Sequence, residues 1–71
     1  MKIDKAQAKV GDWRVDVIES ERGWGSHVED VFYFTEQAEA AVWVKEYNEK
    51  WNPPGPVPDW YMAAMAPVQV R

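Results

Sequence analysis

Glu19-Ser20-Glu21-Arg22-Gly23-Trp24-Gly25-Ser26 separates two runs in which apolar and polar residues alternate. Before it, across residues 12–20, Trp13, Val15 and Val17 alternate with Arg14 and Asp16, the period of a half-buried strand. After it, residues 27–34 place Val28, Asp30, Phe32 and Phe34 on one side and His27, Glu29, Val31 and Tyr33 on the other. Two strands joined by a short glycine-containing stretch predict a β-hairpin with its tip at residues 20–26. Alternation alone does not choose the core side, since both sides carry apolar groups. The Phe pair is assigned inward. Ile18, Val31 and Tyr33 then form an apolar patch on the open face, and such patches mark interfaces.

The next segment reads as a helix from Glu36 to about Trp51. Thr35 is the expected N-cap, and Glu36 suits the positive end of the helix dipole. Ala40, Ala41, Val44, Tyr47, Asn48 and Trp51 recur at helical spacing and make the inward stripe. Trp43 falls near the polar side, as a flank contact or an exposed residue. The proline-rich segment 52–58 ends the helix and forms a stiff extended strap back to the sheet. A last strand runs from Asp59 toward Arg71. Pro67, which has no amide to donate, marks it as an edge strand or breaks it.

These elements predict an α+β fold with the order β-β-α-β. The sheet is a three-stranded antiparallel one in the order 3-1-2, with one helix on one face. Residues 1–11 read as a mobile or weakly docked N-terminal arm, and residues 12–71 as a single domain.

Composition bounds what the domain does. A chain of 71 residues holds one small core, worth only about 3–5 kcal/mol of net stability. There is no cysteine, so no disulfide staples it and no thiolate holds a metal. His27 is the single histidine, which excludes a site built from several imidazoles and leaves no metal or cofactor expected. Five Trp, three Tyr and two Phe are the available stabilisers, together with self-association, so a homo-oligomer is expected. The formal charge of −4 argues against long nucleic acids, whose phosphates require a basic stripe. Met1–Lys5 is not followed by an apolar run of the secretory type, and no stretch approaches a membrane span. A cytosolic location follows as the expectation.

Catalytic patterns are weak. Ser20, Ser26, His27 and Asp30 are close in sequence, but neighbouring strand residues point to opposite faces, so a nucleophile–base pair is not the default. Glu19 and Glu21 share a side and read as an acidic rim. No glycine-rich phosphate loop with a lysine is present. The protein is therefore read as a non-enzymatic binding protein. Arg22 offers a planar fork for phosphate or carboxylate. Trp24, Trp60 and Tyr61 offer flat faces for a base or an apolar plug. Ser20 lines the tip, and Gly23 and Gly25 allow close backbone approach. The plainer reading folds Trp24 over the sheet edge and pairs Arg22 with Glu19.

The tip at residues 19–25, Phe34-Thr35, and Pro58-Asp59-Trp60-Tyr61-Met62 together resemble a group of short phage-encoded proteins, over about residues 12–70. The resemblance implies a phage or prophage origin and, by analogy with small phage proteins that counter host defence, two roles. One is sequestering a nucleotide-derived signal at Ser20, Arg22, Gly23, Trp24, Gly25, Trp60 and Tyr61. The other is docking on a host protein through Ile18, Val31, Tyr33 and the Trp24 tip.

Overall fold

The computed structural model describes residues 1–52, 55, 56 and 58–71. The hairpin forms as the alternation predicts. Strand β2 covers Trp13–Glu21 and strand β3 covers Gly25–Phe34. They pair antiparallel from Trp13↔Phe34 to Glu21↔Gly25. The turn between them is closed by the Trp24 amide donating to the Glu21 carbonyl at 3.0 Å. Gly23 occupies the third turn position at φ 85°, which a type II turn requires and an L side chain resists.

The ladder is not regular throughout. Val17 faces Asp30, but the next residue, Ile18, faces Val28. Glu29 is thus an extra residue on β3, a β-bulge that bends the strand and increases its twist. Because of the bulge, Asp30 and His27 both end on the face of Val15 and Val17, while Val28 joins Ile18 on the other face.

Strand β4, Trp60–Ala64, pairs antiparallel with the outer half of β2, from Val17↔Ala64 to Glu21↔Trp60. Strand β5, Val68–Gln69, pairs with its inner end, Trp13↔Gln69 and Arg14↔Val68. Between Val17 and Arg14 the β2 side has two intervening residues and the other side three, 65–67. The third strand is therefore an edge strand interrupted at Pro67, which satisfies both halves of the expectation for that residue.

The expected order, with the first hairpin strand central, is observed. The strand count is not. Among the described residues the sheet has five strands in the order β1-β3-β2-β4, with β5 also on β2. One extra strand comes from the division of the third into β4 and β5, and the other is β1, Lys2–Ile3, paired with β3 through Lys2↔Phe34 and Ile3↔Tyr33. Residues 1–11 are thus docked at their start rather than loose. The Thr35 amide donates to the Met1 carbonyl at 3.0 Å, and the Met1 amine reaches Thr35 Oγ1 at 2.8 Å and Glu39 Oε1 at 2.6 Å. The Lys2 ammonium lies 4.2 Å from the centre of the Phe32 ring, a cation–π contact. A single 3-10 turn, Lys5–Gln7, follows.

Helix α1 spans Gln37–Trp51 and packs on one sheet face, against β2, β3 and above all β4. Its N-cap is Glu36, which makes no side-chain cap bond. Thr35 lies one position before the N-cap, and its hydroxyl accepts from the Met1 amine instead. The inward stripe is also rotated from the expected one. Ala40 is buried and Val44, Tyr47 and Asn48 are half-buried, but Ala41 is exposed and Trp51 remains 49% exposed. Trp43 takes their place. Its ring centre is 4.8 Å from Phe32, 5.7 Å from Phe34 and 5.2 Å from Tyr47, on which it stacks. Tilted and offset arrangements of this kind suit aromatic quadrupoles. The size of the indole lets it reach inward from the flank of the helix.

The fully buried core is small: Val15, Val17, Phe34, Ala40 and Ala64, ringed by Trp13, Phe32, Trp43, Val44, Tyr47 and Met62. The inward assignment of the Phe pair is correct. The strap at 53, 54 and 57 lies outside the described residues; Gly55 and Pro56 are exposed.

Candidate functional site

The helix is about 22 Å long at 1.5 Å per residue and packs against the base and middle of the sheet. Beyond it the outer parts of β2 and β3 continue with β4 alongside β2, in a molecule measuring 36 × 22 × 16 Å. Every residue from Glu21 to Asp30 is exposed. Trp24, at the end of this projection, is 83% exposed and is not folded over the sheet edge. The positive-φ residues Gly23 and Gly25 flank it, each near φ 85°.

Arg22 pairs with Asp59 rather than Glu19. The Arg22 amide donates to the Asp59 carbonyl at 2.6 Å, and Nη1 lies 3.4 Å from Asp59 Oδ1. Both side chains are more than four-fifths exposed, so water screens the pair and it contributes little to stability. Ser20, Arg22, Pro58, Asp59 and Tyr61 line a recess of about 300 Å³ beside the tip. Ser20 Oγ accepts a hydrogen bond from Ser26 Oγ at 3.1 Å across the ladder.

The proposed ligand-binding residues separate into groups. In an antiparallel ladder, directly opposed residues project on the same face. Ser20 therefore shares a face with Ser26 and Tyr61, whereas Glu21 shares the other with Trp60. Trp60 and Tyr61 point to opposite sides of the sheet, and Trp24 extends past both. The three rings do not converge on one pocket. His27 opposes Glu19 and so lies on the face away from Ser20 and Ser26, which keeps the imidazole from either hydroxyl.

Ile18, Val31 and Tyr33 do share one face, opposite to the helix. With them lie Ile3, Val28 and Ala63, placed there by the pairs Ile3↔Tyr33, Ile18↔Val28 and Ile18↔Ala63. Val28 is 50% exposed, and Met65 and Val68 extend the apolar strip at 47% and 63%. The Arg14 Nε–Asp16 Oδ1 bond of 2.6 Å crosses this face. The hydrogen bond and charge of Asp16 raise the Arg14 pKa, keeping the guanidinium charged. Among the described residues no helix covers the strip.

Sequence reasoning missed one convergence. Glu19, His27 and Glu29 bring their donor atoms to within 4.8 Å of one another on the helix-side face, with His27 and Glu29 exposed. Counting histidines alone hid it. Numbering the hairpin from its tip would have found the first pair, because Glu21↔Gly25 puts Glu19 opposite His27. The bulge that brings in Glu29 has no sequence signature here, as both faces of β3 carry apolar and acidic residues.

No protein-family model, curated protein or solved structure matches this chain. Among the described residues no helix is long and apolar enough to cross a membrane.

Proposed function

We propose that the protein is a non-enzymatic interaction module whose hairpin tip and open sheet face dock on another protein. The observation that carries this reading is the 83% exposure of Trp24 on a projecting turn. Tryptophan is the side chain most enriched among binding hot spots, since it fills a pocket with much apolar area and few rotamers. The turn glycines hold it away from the body. The open face supplies a second apolar area next to it, through Ile18, Val28, Val31 and Tyr33.

The partner's chemistry follows from the charges. Glu19, Glu21, Glu29, Asp30 and Asp59 surround the tip, and the nearby Arg22 is already paired with Asp59. The fitting surface is a protein groove with an apolar pocket for the indole and a basic rim. Read with the resemblance to short phage-encoded proteins, that partner is a host protein, and anti-defence inhibition is the role.

Sequestration of a nucleotide-derived signal is supported less. Its one favourable feature is the recess at Ser20, Arg22 and Tyr61. The Asp59 carboxylate beside Arg22 opposes a phosphate there, and the other rings point elsewhere. Self-association is a further use of the same open face, in which a second copy covers Ile18, Val31 and Tyr33.

Affinity capture from bacterial lysate tests the proposal. A stoichiometric protein partner retained by the wild-type chain and lost with Trp24→Ala supports it. Capture unchanged by that variant, alongside calorimetric binding of a cyclic or ADP-ribose-type nucleotide, would move the assignment to the signal-binding reading.

A further inference from the structure

Two carboxylates and an imidazole meet on the helix-side face of the outer hairpin. His27 Nε2 lies 3.1 Å from Glu29 Oε2 and 3.9 Å from Glu19 Oε1. Glu19 and His27 are direct ladder partners, and the bulge at Glu29 delivers the third group to the same side. Backbone pairing, rather than flexible loops, therefore sets the spacing. Glu19 is the most sheltered of the three, with its side chain 26% exposed.

Charge is unbalanced here. Among the described residues, neither Glu19 nor Glu29 has a lysine or arginine within salt-bridge distance; His27 is the partner of both. Asp30, next along the bulge, adds a further negative group on this side. A neutral imidazole would leave two carboxylates facing each other across it. A cation resolves this arrangement, and the donor set says which kind. Imidazole nitrogen with carboxylate oxygen suits first-row divalent ions rather than calcium or magnesium, which take oxygen ligands. At metal–ligand distances of about 2.0–2.2 Å, tetrahedral donors stand about 3.4 Å apart. The spacings present bracket this value, 3.1 and 3.9 Å from His27 to the two carboxylates, with all three donors within 4.8 Å of one another.

We propose that Glu19, His27 and Glu29 form a surface site for a divalent cation of the zinc type. Water fills the remaining coordination positions. The ion ties β2 to β3 in the part of the hairpin that the helix does not cover, and so stiffens the support of the Trp24 turn. The inference rests on the donor geometry and stands apart from the docking proposal.

Calorimetric titration of the full chain with Zn2+, without any appended polyhistidine, tests it. The expected result is saturable binding of one ion per chain. His27→Ala abolishes it, and Glu19→Gln and Glu29→Gln each weaken it by at least about tenfold, since even outer-shell changes cost that much at metal sites. Glu46→Gln, on the exposed side of the helix, leaves it unchanged. All four side chains are at least partly exposed, and circular dichroism of each variant verifies the fold. The absence of saturable binding by the wild-type chain, or an affinity undiminished in His27→Ala, would overturn the proposal.

Discussion

The side-chain amide of Asn48 closes a ring with the backbone of Ala64. Its Nδ2 donates to the Ala64 carbonyl at 3.1 Å, and its Oδ1 accepts from the Ala64 amide at 2.8 Å. Ala64 ends β4, the outer strand on that side, where among the described residues no further strand supplies these bonds. A helix residue thus acts as the missing ladder partner. It fastens helix to sheet and removes an open edge that would otherwise invite pairing with another chain.

Replacing Asn48 by Ala leaves both backbone groups of a buried residue without their partner. The expected cost is about 1–3 kcal/mol. Chemical denaturation measures the loss. Hydrogen exchange at the Ala64 amide should speed up more than at Val15, which lies on the central strand.

Phe34 carries much of the core, being 1% exposed and in contact with Trp43. Phe34→Ala should cost about 3–5 kcal/mol, which equals the whole net stability expected for a domain of this size. The variant is expected to be largely unfolded by circular dichroism at 25 °C. Trp24→Ala, at an exposed position, should stay within about 0.5 kcal/mol of wild type. That contrast lets the tip be altered without disturbing the fold.

Alkaline pH should weaken the protein through Tyr47. Burial, and then the Asp30 carboxylate, raise this phenol above its ordinary value of 10.0. The folded state holds the proton more tightly than the unfolded one. The stability linked to it is complete below pH 10 and is lost as pH rises through the folded-state value. Urea midpoints measured from neutral to strongly alkaline pH should fall less steeply for Tyr47→Phe than for wild type.

The period-two pattern at Trp13, Val15 and Val17, the glycines at 23 and 25, and the proline at 67 made the hairpin and its broken edge strand legible. Local rules suffice where each residue's neighbours in sequence are its neighbours in the ladder. The N-terminal strand was not legible, because two residues carry no pattern and Lys2 is placed only by a partner, Phe34, far along the chain. Helical spacing found Ala40 and Val44 and left Trp43 as a flank contact or an exposed residue; it is the flank contact, its ring reaching the Phe pair. At the site, alternation already separates Trp60 from Tyr61. The meeting of Glu19, His27 and Glu29 depends on register and a bulge.

The most direct test of the docking account is a photo-crosslinking amino acid placed at exposed Ser26, beside the tip with Trp24 intact, compared with one at Val42 on the exposed flank of the helix. In bacterial lysate, position 26 should give one dominant protein adduct, and Val42 should not. The adduct should vanish with Trp24→Ala, and also when Ile18 and Val31 are both changed to Glu in a chain that remains folded. No adduct at position 26, or the same adducts from both positions, would contradict the account.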